Sequence, residues 1–176
     1  MRPDAPESLL RHLQAVCAAT IPLARAWGAD ASEAALAALL HDVARDVDAP
    51  PPAAPLAALG LPLDPGEAEI PELWHAPAAV LRLAKIGVSN PHVLAAVRFH
   101  TTGRPAMTPI EAAVLVGDRA SEDRPEAFSA RLREDLSRGM DMRAALRACL
   151  EEKIRALRAR GVSPFPRTEA ALADVA

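Results

Sequence analysis

Apolar positions along this chain recur at helical spacing, and nowhere do they alternate as a strand would. From about Glu7 to Trp27, Leu9, Leu13, Val16, Ile21 and Leu23 mark a first helix that also carries His12. Pro22 is expected to kink or split it, because its ring removes a backbone donor and clashes one turn back. Gly28 is a natural stop. Asp30 with Glu33 reads as an N-cap and its capping-box partner. They open a second helix, rich in Ala and Leu, that runs to about Ala44 and carries His41-Asp42 near its end. Residues 49–72 are too rich in Pro for a continuous helix and read as a surface loop, with a short helix near Pro55 to Leu59. A third helix, from Glu72 or Trp74 to about Ile86, has His75 in its first turn. Asn90-Pro91 caps a fourth that finishes at His100. After a loop over 101–105, Thr108-Pro109-Ile110-Glu111 forms a capping box and opens a fifth helix that delivers Asp118. Two amphipathic helices, about Pro125 to Arg138 and Asp141 to Arg160, pack Leu132, Leu136, Leu146, Leu150, Ile154 and Leu157 on the core. Their many Arg read as a solvated face, and the tail after Gly161 as weakly ordered.

Composition agrees with helices. Of 176 residues, 51% are hydrophobic, only 3% are aromatic and none is Tyr, and strands favour aromatic and β-branched residues. The expectation is a single all-α domain over 1–176, with a helical core at about 8–121, the helices of 125–160 packed on it, and 161–176 as a tail. Twenty Lys and Arg against 23 Asp and Glu give a net charge of −3. That balance speaks against nucleic acid as a partner but leaves room for a local Arg cluster. Cys17 and Cys149 form no metal or redox motif, the N-terminus has no apolar signal core, and no apolar run reaches the roughly 18 residues of a membrane span. The expected setting is cytoplasmic, away from membranes.

His41-Asp42 changes the picture. An imidazole and a carboxylate buried at the end of an apolar helix are costly without a partner, and a divalent cation is one that suits both. His12, His75, His100 and Asp118 also lie on helices or helix ends, and a helical bundle can aim such side chains into its core. His92, next to Pro91, reads as exposed and without a ligand role.

The stretches around these residues carry a resemblance. They are His12 with Leu23-Ala24-Arg25-Ala26-Trp27-Gly28-Ala29-Asp30; Leu40-His41-Asp42-Val43-Ala44-Arg45; Leu73-Trp74-His75-Ala76-Pro77; Val97 to Thr108, which contains His100-Thr101-Thr102-Gly103-Arg104-Pro105; and Val116-Gly117-Asp118. In these the chain resembles the HD-domain phosphohydrolases, and among them the YqeK-type branch, the symmetrical diadenosine tetraphosphate hydrolases. The resemblance covers most of residues 8–120. It implies an HD-domain helical bundle with a two-ion centre in its core. His12, His41, Asp42 and Asp118 would hold one ion. His75 and His100 would hold the second, with Asp42 bridging. It implies iron, where ligand chemistry alone also admits manganese or zinc. A hydroxide shared by the ions would attack an inner phosphorus of diadenosine tetraphosphate and release two ADP. Catalytic roles fall to Asp42 and to Arg104, whose fork would hold phosphate. Thr101 and Thr102 would add hydroxyl donors. Arg45 stands where the family has Lys, and it too would bind substrate. A homodimer is also implied. The chain departs from the family after Asp118, where Arg119-Ala120-Ser121-Glu122-Asp123-Arg124-Pro125 replaces an aromatic followed by a Glu-Pro stretch. The alternatives are an HD-fold module that binds metal or nucleotide without turnover, and a phosphohydrolase of the same fold acting on another nucleotide.

Overall fold

The computed structural model describes residues 7–176. Its helices are α1 (Glu7–Ala26), α2 (Ala31–Leu40), α3 (Ala53–Ala58), α4 (His75–Lys85), α5 (Pro91–Phe99), α6 (Pro109–Ala120), α7 (Ala127–Ser137), α8 (Met142–Ala159) and α9 (Pro166–Val175). No strand occurs among the described residues, so the all-α expectation holds.

The bundle is built around α6. Its residues from Ile110 to Gly117 are all buried, and α1, α2, α5, α7 and α8 pack against it. Thr108 accepts from the Glu111 N–H while Glu111 returns a bond to the Thr108 backbone, which fixes where α6 starts. Gly117 lets α1 cross closely, because a Cβ there would collide with Thr20 Oγ1. That crossing brings the His12 helix against the Asp118 helix.

Three elements differ from expectation. Pro22 does not split α1, which runs unbroken to Ala26 with Val16, Thr20, Leu23 and Ala24 buried; packing holds the helix across the lost donor. The second helix stops at Leu40, not near Ala44. From His41 onward the chain makes tighter turns, Val43 N–H to Leu40 O and Arg45 N–H to Asp42 O. The cause is local: the His41 side chain bonds Ala38 O, the carbonyl that helix continuation would use. The segment after Gly161 is not a loose tail. Phe165-Pro166 opens α9, with Pro at its first position, and Arg167, Thr168 and Ala171 are buried.

The Pro-rich stretch holds α3, slightly earlier than expected, and two short 3-10 turns, Glu67–Glu69 and Pro71–Leu73. It lies over the surface as expected, most of its residues exposed, but Pro51, Leu56, Leu61 and Glu67 are buried and strap it to the core. Arg98, 1% exposed, forks onto Glu67 at 2.7 and 2.6 Å and also donates to Leu61 O and Pro62 O. Arg167 of α9 reaches the same Glu67 at 3.1 Å and Asp64 at 2.7 Å. One buried carboxylate therefore ties α5, the strap and α9 together.

Candidate metal centre

Local structure sets the aim of each imidazole. His41 and His100 occupy the positions that end α2 and α5. In both, Nδ1–H donates to the carbonyl three residues back, Ala38 O and Val97 O, at 2.7 Å. This leaves Nε2 with its lone pair and fixes the ring plane. His12, buried in α1, has its Nδ1 held by Asp123 Oδ2 at 2.7 Å. Asp118, in the last turns of α6, is held by Arg124, whose Nη2 donates to Oδ1 at 2.6 Å and whose Nε donates to the Asp118 carbonyl. His75 opens α4.

The free nitrogens converge on Asp42, whose two oxygens face two histidine pairs. Oδ2 lies 3.7 Å from His12 Nε2 and 3.3 Å from His41 Nε2. Oδ1 lies 3.7 Å from His75 Nε2 and from His100 Nε2. Asp118 Oδ1 joins the first pair, 3.2 Å from His12 Nε2 and 3.9 Å from His41 Nε2. The six residues singled out as ligands thus meet at one place. His92 is exposed on the first turn of α5, outside the cluster.

This donor set fits a divalent metal. His12 Nε2 and His41 Nε2 are buried without a hydrogen-bond partner, a cost that a cation removes. His75 Nε2 and His100 Nε2 stand 3.1 Å apart. Two nitrogens each about 2.0–2.1 Å from a shared ion would stand at about that spacing. Protonation fits at His75, His100 and the two carboxylates, while at His12 the Asp118 contact, against burial and with Asp123, raises the pKa, so a cation there would displace a proton. Burial pushes His100 down to about 3 and lowers His75 as well, so both are neutral donors. Burial works to raise Asp42, but His41, His100 and Arg45 outweigh it and hold the carboxyl far below its usual range. His12 and Arg124 do the same for Asp118. The carboxylates are therefore ionised and ready to ligate.

A cavity of about 620 Å³ opens from the centre, with Asp42, His75, His100 and Asp118 in its wall. Two of the expected substrate residues face it. Thr101 Oγ1 is 3.0 Å from both His75 Nε2 and His100 Nε2. Arg45 lies 3.2 Å from Asp42 Oδ2 with its guanidinium largely in solvent. The structure does not bring Arg104 and Thr102 there. Arg104 forks onto Glu111 at 2.9 and 3.1 Å, over the face of Phe99. Glu111 is fully buried and needs that cation. The Thr102 hydroxyl donates to Gly103 O. Sequence reasoning missed Asp123 and Arg124, which lie in the stretch that departs from the family. It also missed Lys153 and Arg160, which line the cavity from a helix read as a solvated face.

An all-helical bundle with paired His/Asp ligands at its centre defines a class, and comparison with known proteins agrees. The HD domain family model matches residues 9–153, and the chain belongs to this family. A solved HD superfamily hydrolase of Clostridium acetobutylicum, described as involved in NAD metabolism, superposes with a TM-score of 0.81 at 25% identity over 98% of this chain and 90% of that one. Among curated relatives, the symmetrical bis(5'-nucleosyl)-tetraphosphatase of Bacillus subtilis (strain 168) is 37% identical over 117 residues, 64% of this chain. The protein of the same name in Halalkalibacterium halodurans is 32% identical over 128 residues, 70% of this chain. The chain spans 61% and 66% of the length of these two relatives. No helix among the described residues is long and apolar enough to cross a membrane.

Proposed function

We propose that the chain is a metal-dependent hydrolase of dinucleoside polyphosphates that cleaves diadenosine tetraphosphate symmetrically into two ADP. The observation that carries this reading is Asp42, set with one oxygen toward His12 and His41 and the other toward His75 and His100. That arrangement supports two ions: His12, His41, Asp42 and Asp118 would hold one, and His75 and His100, with Asp42 shared, would hold the other. Iron is the metal of this reading, with manganese and zinc as the ligand chemistry's other choices. When bound, the ions supply Lewis acidity at phosphorus and lower the pKa of an attacking water.

The chain's own residues prepare the site. Asp123 and the Ala38 and Val97 carbonyls orient three imidazoles through Nδ1. Arg124 holds Asp118. Thr101 Oγ1, beside both nitrogens of the second pair, is placed to donate to a phosphate oxygen. Arg45 offers a bidentate fork beside Asp42. The names of the two curated relatives support the nucleotide. A full ligand set favours turnover over a binding-only module, which has no need of two ions. The reading takes 1–176 as one domain, in the cytoplasm, working as a homodimer without nucleic acid or membrane.

The test is to purify the protein, measure metal per chain, and incubate it with diadenosine tetraphosphate. Two ADP are expected. AMP with ATP would overturn symmetrical cleavage, and absence of turnover with metal bound would reduce the protein to a binding module.

A further inference from the structure

Beyond the ligand cluster, the cavity wall gathers cations, only some of which have an ion-pair partner. Five line it: Arg45, Arg119, Arg124, Lys153 and Arg160. Arg45 and Arg124 are paired with Asp42 and Asp118. Among the described residues, Arg119, Lys153 and Arg160 make no such pair. Arg119 Nε is buried without a hydrogen-bond partner, its guanidinium 5.7 Å from the Phe128 ring. Glu152 is near enough to feel Arg119, but its carboxylate is taken by Arg155 at 2.8 and 2.6 Å. Lys153 has one bond, its ammonium donating to the Thr101 carbonyl. Burial first, and Arg119 second, bring its pKa down to about 8 against a smaller opposing pull from Asp118. Lys153 and Leu157 share one face of α8, Arg160 follows at its C-terminal cap, and all three line the cavity.

Like charges gathered in a partly buried wall are unfavourable until an anion joins them. The wall also adjoins the centre. Lys153 is bonded to the carbonyl of Thr101, whose own hydroxyl lies 3.0 Å from His75 Nε2 and His100 Nε2. A phosphate chain with one group at the ligand cluster would run next into these cations.

We infer that Arg119, Lys153 and Arg160 form a distal phosphate subsite, which holds the phosphates beside the one attacked and selects phosphate chains over phosphomonoesters. This rests on the reading of the centre as a phosphohydrolase site. The two arginines supply planar forks for phosphate oxygens, and Lys153 supplies a point charge.

The test measures ADP and AMP affinity of the metal-loaded protein by calorimetry, with steady-state kinetics on diadenosine tetraphosphate. Wild type is expected to bind ADP more tightly than AMP. Arg119→Gln and Lys153→Gln should each weaken ADP binding by about tenfold, the loss of one charge-assisted contact, and narrow the ADP/AMP ratio. They should raise KM far more than they lower kcat. Arg160→Gln, exposed at the end of α8, changes no packed residue and should weaken ADP several-fold even if the other variants fold poorly. Arg138→Gln removes one surface charge outside the cavity and should change nothing. Wild-type ADP affinity in all three cavity variants would overturn the subsite, as would an equal loss in Arg138→Gln. Loss of ADP affinity as expected, with no tetraphosphate turnover by wild type, would instead overturn the proposed function and leave the subsite standing.

Discussion

Asp42 uses its two oxygens for two histidine pairs, and its replacement should be felt on both sides. Asp42→Ala is expected to lose bound metal at both positions and to abolish turnover. His75→Ala should lose the ion of one pair and keep the other. Metal analysis of the purified variants separates these outcomes, and His92→Ala should match wild type in both metal and rate. Lys153 gives a pH signature. Its ammonium is charged below about 8 and neutral above, because burial and Arg119 depress it. KM for an anionic substrate should therefore rise as pH passes from 7 to 9, and Lys153→Arg, charged throughout, should flatten that rise. At this scale the sequence was legible where chemistry is scarce. Four His and two acids on helices or helix ends are few enough to be singled out. It was illegible for Arg104, because an Arg in a loop can serve phosphate or a buried Glu111, and only the fold shows which one it meets.

Helix ends were legible through their caps. Asp30, Asn90 and Thr108 each accept backbone N–H groups where expected. The early stop of α2 was not, because it depends on a side chain competing for a carbonyl. Nor was α9: it is short and polar, and its burial comes from Arg167 meeting Glu67 and Asp64 far away in sequence. Only its Pro166 start was there to be read. The crossing of α1 and α6 is set by Gly117. Gly117→Ala should destabilise the protein by about 1–3 kcal/mol through overpacking. It should also weaken metal binding, since Asp118 follows directly. Thermal melts and metal titration of that variant check both effects.

Across the molecule, Glu67 joins distant segments through Arg98 and Arg167. Burial works to raise its pKa, but Arg98 and Arg167 outweigh it and hold it below the usual carboxylate range. Its contribution is therefore present at neutral pH and is lost as pH falls through that depressed value. Glu67→Gln should cost roughly 3–5 kcal/mol at pH 7, because it leaves Arg98 buried without a counter-charge. The variant should lose less than wild type on further acidification. Chemical denaturation at two pH values measures both. Long-range ties of this kind, Glu67 with Arg98 and Arg167 or His12 with Asp123, span 31 to 111 positions. Neither periodicity nor local motif reports them.

The bonds that orient the imidazoles have a further meaning. Ala38 O, Val97 O and Asp123 grip His41, His100 and His12 through Nδ1, on the far side of each ring from the cluster. The scaffold is therefore expected to keep its shape without an ion. On the proposed function, chelation should silence turnover while the helical circular dichroism stays near that of the metal-loaded protein, and adding the cation back should restore turnover without a refolding step.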